Sequence, residues 1–339
     1  MDAEGRSMAD ENLQVVFGAG QVGPPLAAIL RESGLQVRIV RRSSGGDLGG
    51  IPVVEGDAGD PAFATAVSSG AAAIYHCLNP AYDEKEWARE LPRFMEALIA
   101  AASRTGARLV VLDNLYSLGS TEGRPINEDT PTNPISRKGE IRARVAATLF
   151  EAHRRGDARA VVGRASDFYG PRGHGTFFGD LFWNRVLAGK SAQAPMNPDT
   201  RHSWHYIPDV AAGLATLGSA SDDVCGSAWM LPVAPAVTTR DMVERLGEAL
   251  GREIRIERVP SWMLAAMGWF VPVLREVSEM LYQWDEPFVV DDSRFRARFS
   301  HMPTALDAGV RETVAWARAT FGAAGKRTAG AQPAGVESR

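Results

Sequence analysis

Six residues near the amino end, Gly18-Ala19-Gly20-Gln21-Val22-Gly23, carry the clearest chemical signal in the chain. They stand between an apolar run and a helical segment. At this spacing Gly18 permits a tight turn, Gly20 lets the backbone approach a pyrophosphate, and Gly23 lets helix and strand pack closely. The free N–H groups at the helix start, where Gln21 and Val22 stand, favour phosphate charge. Pro24 and Pro25 fit the first helical turn, whose N–H groups have no intrahelical partner. A dinucleotide is therefore the expected cofactor. Its type is read at the end of the second strand, where NAD calls for a carboxylate and NADP for an arginine. The chain offers Arg41, Arg42, Ser43 and Ser44 there, with no carboxylate before Asp47. A guanidinium fork matches a phosphate, so NADP is expected ahead of NAD. Asp57, after the third strand, is placed either to accept from the adenine amino group or to build a turn. His202 and His205 are three apart, but no further ligand has metal-site spacing, so no metal is expected.

These groups need a scaffold, and the hydrophobic pattern supplies one. Strands are expected at 13–17, 37–40, 53–54, 72–77, 109–112 and 158–162. Helices are expected at 26–32, 62–69, 84–104, 137–153, 210–217 and 239–250, the last capped by Thr238 or Thr239. Strands alternating with helices imply right-handed crossovers and a parallel sheet covered on both faces. The fold class is thus α/β, a Rossmann-type doubly wound sheet with a smaller α+β substrate lobe. Residues 12–170 and 206–225 are expected to form the dinucleotide-binding domain, and 171–205 with 226–321 the lobe. A disordered leader (1–11) and tail (322–339) are expected to flank them.

The bulk properties restrict the function. The chain has 339 residues, 45% of them hydrophobic, and a formal charge of −4, which gives no electrostatic case for nucleic acid. Its two cysteines, Cys77 and Cys225, suit a reducing cytoplasm. The apolar stretch 262–274 is too short to span a bilayer and reads as a core helix. Partners are expected to be a small-molecule substrate and, as the assembly to test, a second copy in a homodimer.

Further segments complete a resemblance. Gly56-Asp57 follows the third strand, and Ala73-Ile74-Tyr75-His76-Cys77 forms the fourth. Gly163-Arg164-Ala165-Ser166-Asp167-Phe168-Tyr169-Gly170-Pro171 and the segment from Arg201 to Ala211 come later. With the glycine turn, these resemble the extended short-chain dehydrogenase/reductase superfamily in its epimerase/dehydratase-like branch, over about residues 13–320. The resemblance implies a Ser or Thr that bonds the substrate oxygen and a Tyr that moves its proton. It also implies a Lys, four residues after the Tyr, that holds the nicotinamide ribose and lowers the tyrosine pKa.

This chain departs from that set. Lys138 is the lysine the resemblance selects, yet Pro134 stands four residues before it. Asn114 takes the Ser/Thr position and can donate its amide N–H to a carbonyl oxygen. Tyr116 is the candidate replacement acid, with Ser136 to orient a water. The phenylalanines and tryptophans of the lobe favour a small, fairly apolar or aromatic substrate. The expected activity is an NADPH-dependent ketone or carbonyl reductase, or alcohol dehydrogenase. The alternatives are a nucleotide-sugar epimerase or dehydratase and an inactive NADP-binding regulator.

Overall fold

The computed structural model describes residues 12–43, 45, 48–194, 197–259 and 279–322. Leu13–Phe17 (β1) is buried at every position, the mark of a strand covered on both faces. It leads into helix Gly23–Glu32 (α1) and strand Gln36–Arg41 (β2). Strand Val53–Glu55 (β3), helix Pro61–Val67 (α2) and strand Ala71–His76 (β4) follow. Helix Glu84–Thr105 (α3), strand Arg108–Asp113 (β5), helix Arg137–Arg154 (α4) and strand Ala160–Arg164 (β6) complete the alternation. Local chemistry sets the boundaries. Asp83 caps α3 by accepting the Glu86 N–H at 3.0 Å, and Gly106 ends it in the left-handed region at φ 73°.

The second half is built from shorter pieces. Strand Phe168–Tyr169 (β7), helix Asp180–Leu187 (α5), and strands Ala192–Ala194 (β8), Arg201–His202 (β9) and His205–Tyr206 (β10) precede helix Ile207–Ser219 (α6). Strands Ala228–Met230 (β11) and Val237–Thr238 (β12), helix Thr239–Leu250 (α7) and strand Ile256–Arg258 (β13) come next. Helices Tyr282–Asp285 (α8), Ser293–Phe299 (α9) and Leu306–Phe321 (α10) close the described chain.

Seven strands form one parallel sheet in the order β11-β6-β5-β4-β1-β2-β3. Trp87, Leu91 and Leu98 of α3 and Ile141 and Leu149 of α4 bury one face. Leu26 and Leu30 of α1 and Val210, Leu214 and Leu217 of α6 bury the other. The α/β doubly wound class read from the pattern is the class observed.

Three details differ from the expected elements. The sixth strand is Ala160–Arg164 rather than 158–162: Ala158 lies before it, with its carbonyl 3.0 Å from His153 Nδ1 of α4. Strand β11, placed with the lobe by the sequence division, pairs with β6 at the edge of the main sheet. Helix α9 follows it there: Phe295 is fully buried in the main core, 6.4 Å from the Trp229 ring. The lobe has its own core, in which Phe178, Phe182, Trp183 and Trp204 meet Met242, Leu246, Val310 and Val314. These aromatic side chains fill the lobe rather than line a substrate surface, so they no longer argue for an aromatic substrate. The 1–11 leader, Asp47 and the 262–274 stretch lie outside the described residues, as does the 322–339 tail beyond Gly322. No helix among the described residues is long and apolar enough to cross a membrane.

Candidate active site at the carboxyl ends of the strands

The sheet order reverses at β1, which has β2 on one side and β4 on the other. In an open α/β sheet the crevice at such a switch point, outside the carboxyl ends of the strands, is where ligands bind. The glycine turn occupies that place. Gly18 has φ 117°, and a Cβ there would fall 2.7 Å from the Cys77 carbonyl oxygen. A Cβ at Gly23 would fall 1.8 Å from the Gly18 oxygen, so α1 can approach β1 only because residue 23 has no side chain. A Cβ at Gly20 would meet nothing within 4 Å. The first and third glycines close the turn, and the middle one faces open space, an arrangement that fits a pyrophosphate. Helix α1 begins at Gly23, with Val22 as its N-cap residue and Pro24 and Pro25 in its first turn. The Gln21 side chain donates to the His174 carbonyl.

The end of β2 is equally well defined. Arg41 closes β2, and its carbonyl accepts the Gly56 N–H at 3.0 Å, which brings Arg41, Arg42 and Ser43 beside Asp57. Arg41 is half-buried and its guanidinium donates to the Gly45 carbonyl, while Arg42 and Ser43 are exposed. Both Asp57 oxygens are held by Arg93, at 2.8 and 3.1 Å, and Oδ1 also accepts the Gly59 N–H. The Arg93 hydrogen bond, followed by the Gly59 bond, holds the Asp57 carboxyl below its ordinary value. Asp57 thus helps to build the turn after β3 through the Gly59 N–H and is paired with Arg93 of α3.

At the other end, Asn114 and Tyr116 follow β5. The Asn114 side-chain oxygen accepts the Tyr116 N–H at 3.1 Å, which leaves its amide group as a donor. Tyr116 stacks on buried Trp87 of α3, with ring centroids 6.0 Å apart at 12°. Its hydroxyl is 3.4 Å from that of Tyr82. Lys138, in the first turn of α4, is fully buried; its Nζ lies 4.8 Å over the Tyr82 ring and 2.8 Å from Glu279 Oε1. Gly139 connects the elements. A Cβ there would fall 2.5 Å from the Tyr116 backbone carbonyl oxygen and 3.1 Å from Pro134 Cβ. The Tyr116 backbone thus passes close to the start of α4, near the position where the resemblance implies a tyrosine and the chain has proline. Ser136 is the N-cap of α4, its Oγ accepting the Gly139 N–H at 3.0 Å. That bond orders the helix carrying Lys138.

Burial raises the Tyr116 pKa well above the ordinary phenol value, and Tyr82 and Asp167 add to the effect. The phenol is therefore protonated across the physiological range and suited to donating a proton rather than to accepting one. This reverses the direction that the resemblance implies for a tyrosine beside lysine.

Four further groups were not singled out from the sequence. Tyr82 lies in the loop after β4, where only strand order would point to it. Arg142 is buried, with Nη2 2.6 Å from Asn79 Oδ1 and its guanidinium 4.6 Å over the Trp87 ring. Asp113 lies between Arg142 and Arg164, at 3.6 and 3.5 Å. Asp167 Oδ2 accepts from His202 Nε2 at 2.8 Å, and the His202 ring stacks with Trp284 and Phe288. His205 turns elsewhere: Nδ1 accepts the Ser166 N–H and Nε2 faces the Leu231 carbonyl. Burial brings His205 down to about 4 and His76 to about 3. His174 is anchored by Asp180 at 2.7 Å.

Comparison with known proteins adds a family. The model of the NAD dependent epimerase/dehydratase family matches residues 15–228. UDP-glucose 4-epimerase from Thermotoga maritima, solved with UDP-glucose, is 17% identical with a TM-score of 0.74, covering 91% of this chain and 99% of its own. The dTDP-glucose 4,6-dehydratase DesIV from Streptomyces venezuelae, solved as a double mutant with NAD and DAU bound, is 18% identical. It covers 90% of this chain and 96% of its own, with a TM-score of 0.72. WbmH from Bordetella bronchiseptica, solved with NAD+, is 20% identical at a TM-score of 0.68, covering 91% and 98%. At these identities the likeness is one of fold. A search of curated proteins finds no match.

Proposed function

Because the chain belongs to the NAD dependent epimerase/dehydratase family, we propose that it is a nicotinamide-dependent enzyme acting at a carbinol or carbonyl carbon of a small substrate. The reaction type that the family favours is an epimerase or dehydratase of the nucleotide-sugar kind. The bound dinucleotide would supply reversible hydride transfer. Gly18, Gly20, Gln21, Val22 and Gly23 would hold its pyrophosphate, Arg41, Arg42 and Ser43 its adenosine ribose, and Lys138 its nicotinamide ribose. Asn114 would bond the substrate oxygen, and Tyr116 would hold the proton there.

The observation that supports this assignment is the position of the Tyr116 hydroxyl, 3.4 Å from that of Tyr82, whose ring lies 4.8 Å from Lys138 Nζ. A phenol thus stands one side chain away from the lysine that the family motif pairs with a tyrosine. The test is Tyr116→Phe, assayed with NADH and NADPH against nucleotide sugars and simple ketones. Turnover should fall at least a hundredfold, the lower end for a general acid, with dinucleotide affinity unchanged. Turnover retained in the variant would remove Tyr116 from the mechanism. Dinucleotide binding with no turnover of any substrate in the parent would instead favour an inactive regulator.

A second reading, an NADPH-dependent ketone reductase, draws on one feature. Strand β2 ends at Arg41 and is followed by Arg42 and Ser43, with no carboxylate among these residues. Arg42→Asp should shift preference from NADPH toward NADH, and a variant with unchanged preference would count against NADP.

A further inference from the structure

The loop between β7 and α5, residues 170–179, belongs to the lobe half of the chain but lies against the glycine turn. It is a chain of tight turns: the Gly173 N–H donates to the Gly170 oxygen at 3.1 Å, and the Gly179 N–H to the Thr176 oxygen at 3.1 Å. A Cβ at Gly179 would fall 2.4 Å from the Gly173 oxygen, so the loop has little room to rearrange. Two contacts join it to the turn. Gln21 donates to the His174 carbonyl, and Arg172 Nη2 lies 3.4 Å from the Gly20 oxygen.

Arg172 is the unusual member. Its φ is 67°, a left-handed conformation that a residue with a Cβ adopts at a cost. Such outliers persist where a fixed side-chain position is required. The only hydrogen bond of its guanidinium among the described residues is a long one to a neutral carbonyl, and no described carboxylate pairs with it. A five-donor guanidinium thus sits on Gly20, the glycine whose outer side is open. On its other face the loop is fixed to the lobe: the His174 ring lies 5.2 Å from Trp316 and 5.8 Å from Phe321 of α10.

We propose that Arg172 is a ligand of the cofactor's pyrophosphate, presented by a lobe loop that clasps the glycine turn and retains the dinucleotide. The proposal rests on the reading of that turn as the cofactor site. A fork of N–H donors on a pyrophosphate makes charge-assisted bonds, stronger than the single carbonyl contact it has here. Because the loop also packs on α10, occupancy of the cofactor site would order the edge of the lobe.

The test uses Arg172→Asn, since asparagine tolerates the left-handed backbone, with Arg172→Lys as a second variant that keeps the charge. Binding of NADPH, NADH and ADP to the full chain is measured by fluorescence and calorimetry. The asparagine variant should lose roughly ten- to a hundredfold in affinity for all three, the range for a lost charge-assisted bond, and the lysine variant should recover part of it. Affinities within twofold of the parent, or a loss for the dinucleotides without a loss for ADP, would overturn the inference while leaving the cofactor site intact. A parent that binds no dinucleotide would overturn the site itself and the inference with it.

Discussion

The burial that raises the Tyr116 pKa also fixes its chemistry. A phenol stacked on Trp87 and 3.4 Å from a second phenol keeps its proton, so in the proposed role it is the donor, and activity that depends on it should persist from neutral pH up to the alkaline limit of the fold. A pH–rate profile with a loss centred below pH 8 that Tyr116→Phe abolishes would contradict this. The buried histidines give a separate pH dependence. His205 and His76 are held neutral, at about 4 and about 3 in the folded chain, against about 6.5 when exposed. Between those values the unfolded chain binds more protons, so stability is full above pH 6.5 and declines as pH falls toward 4. Urea unfolding at pH 7, 6 and 5 should show the decline, with a smaller slope in His205→Gln; equal slopes would contradict the assignment. The sequence pointed to Tyr116 by its place just after the fifth strand and to Lys138 by the resemblance, with Pro134 four residues before it. It could not show Tyr82 or Asp167, because tertiary packing alone brings them to the site and neither has a local pattern.

At the scale of the element, the glycine turn separates binding from folding. Gly20→Ala adds a methyl group into open space, so stability should change by less than about 1 kcal/mol while dinucleotide binding is lost. Gly23→Ala drives a Cβ into the Gly18 carbonyl, so α1 must move; overpacking of this kind costs about 1–3 kcal/mol or more. Equal stability of the two variants by denaturant unfolding would show that the turn does not pack as described. Ser136→Ala removes the cap of α4 and should cost about 1 kcal/mol. The turn, its helix and the Thr238–Asp241 cap of α7 were legible because each depends on a short run of residues with a fixed backbone task. Strand β11 was not. It has three residues, and only its pairing with β6 makes it a strand.

For the whole molecule, β11 and α9 tie the second half of the chain into the first. Phe295 is buried beside Trp229 in the core under α1 and α6, so Phe295→Ala should cost about 3–5 kcal/mol. A loss below 1 kcal/mol would place α9 outside that core. The alternation of strands and helices gave the parallel sheet because crossovers leave few topologies open. The division into domain and lobe was less legible, because the chain crosses between them several times and no linker composition marks the crossings. The central claim is that this fold carries a nicotinamide dinucleotide on the turn Gly18–Gly23. Calorimetric titration of NADPH and NADH into the parent and Gly20→Ala chains tests it most directly. The account predicts saturable binding of one dinucleotide per parent chain and at least a tenfold loss in the equally stable variant, about 1.4 kcal/mol; no binding by the parent, or equal binding by both, would contradict it.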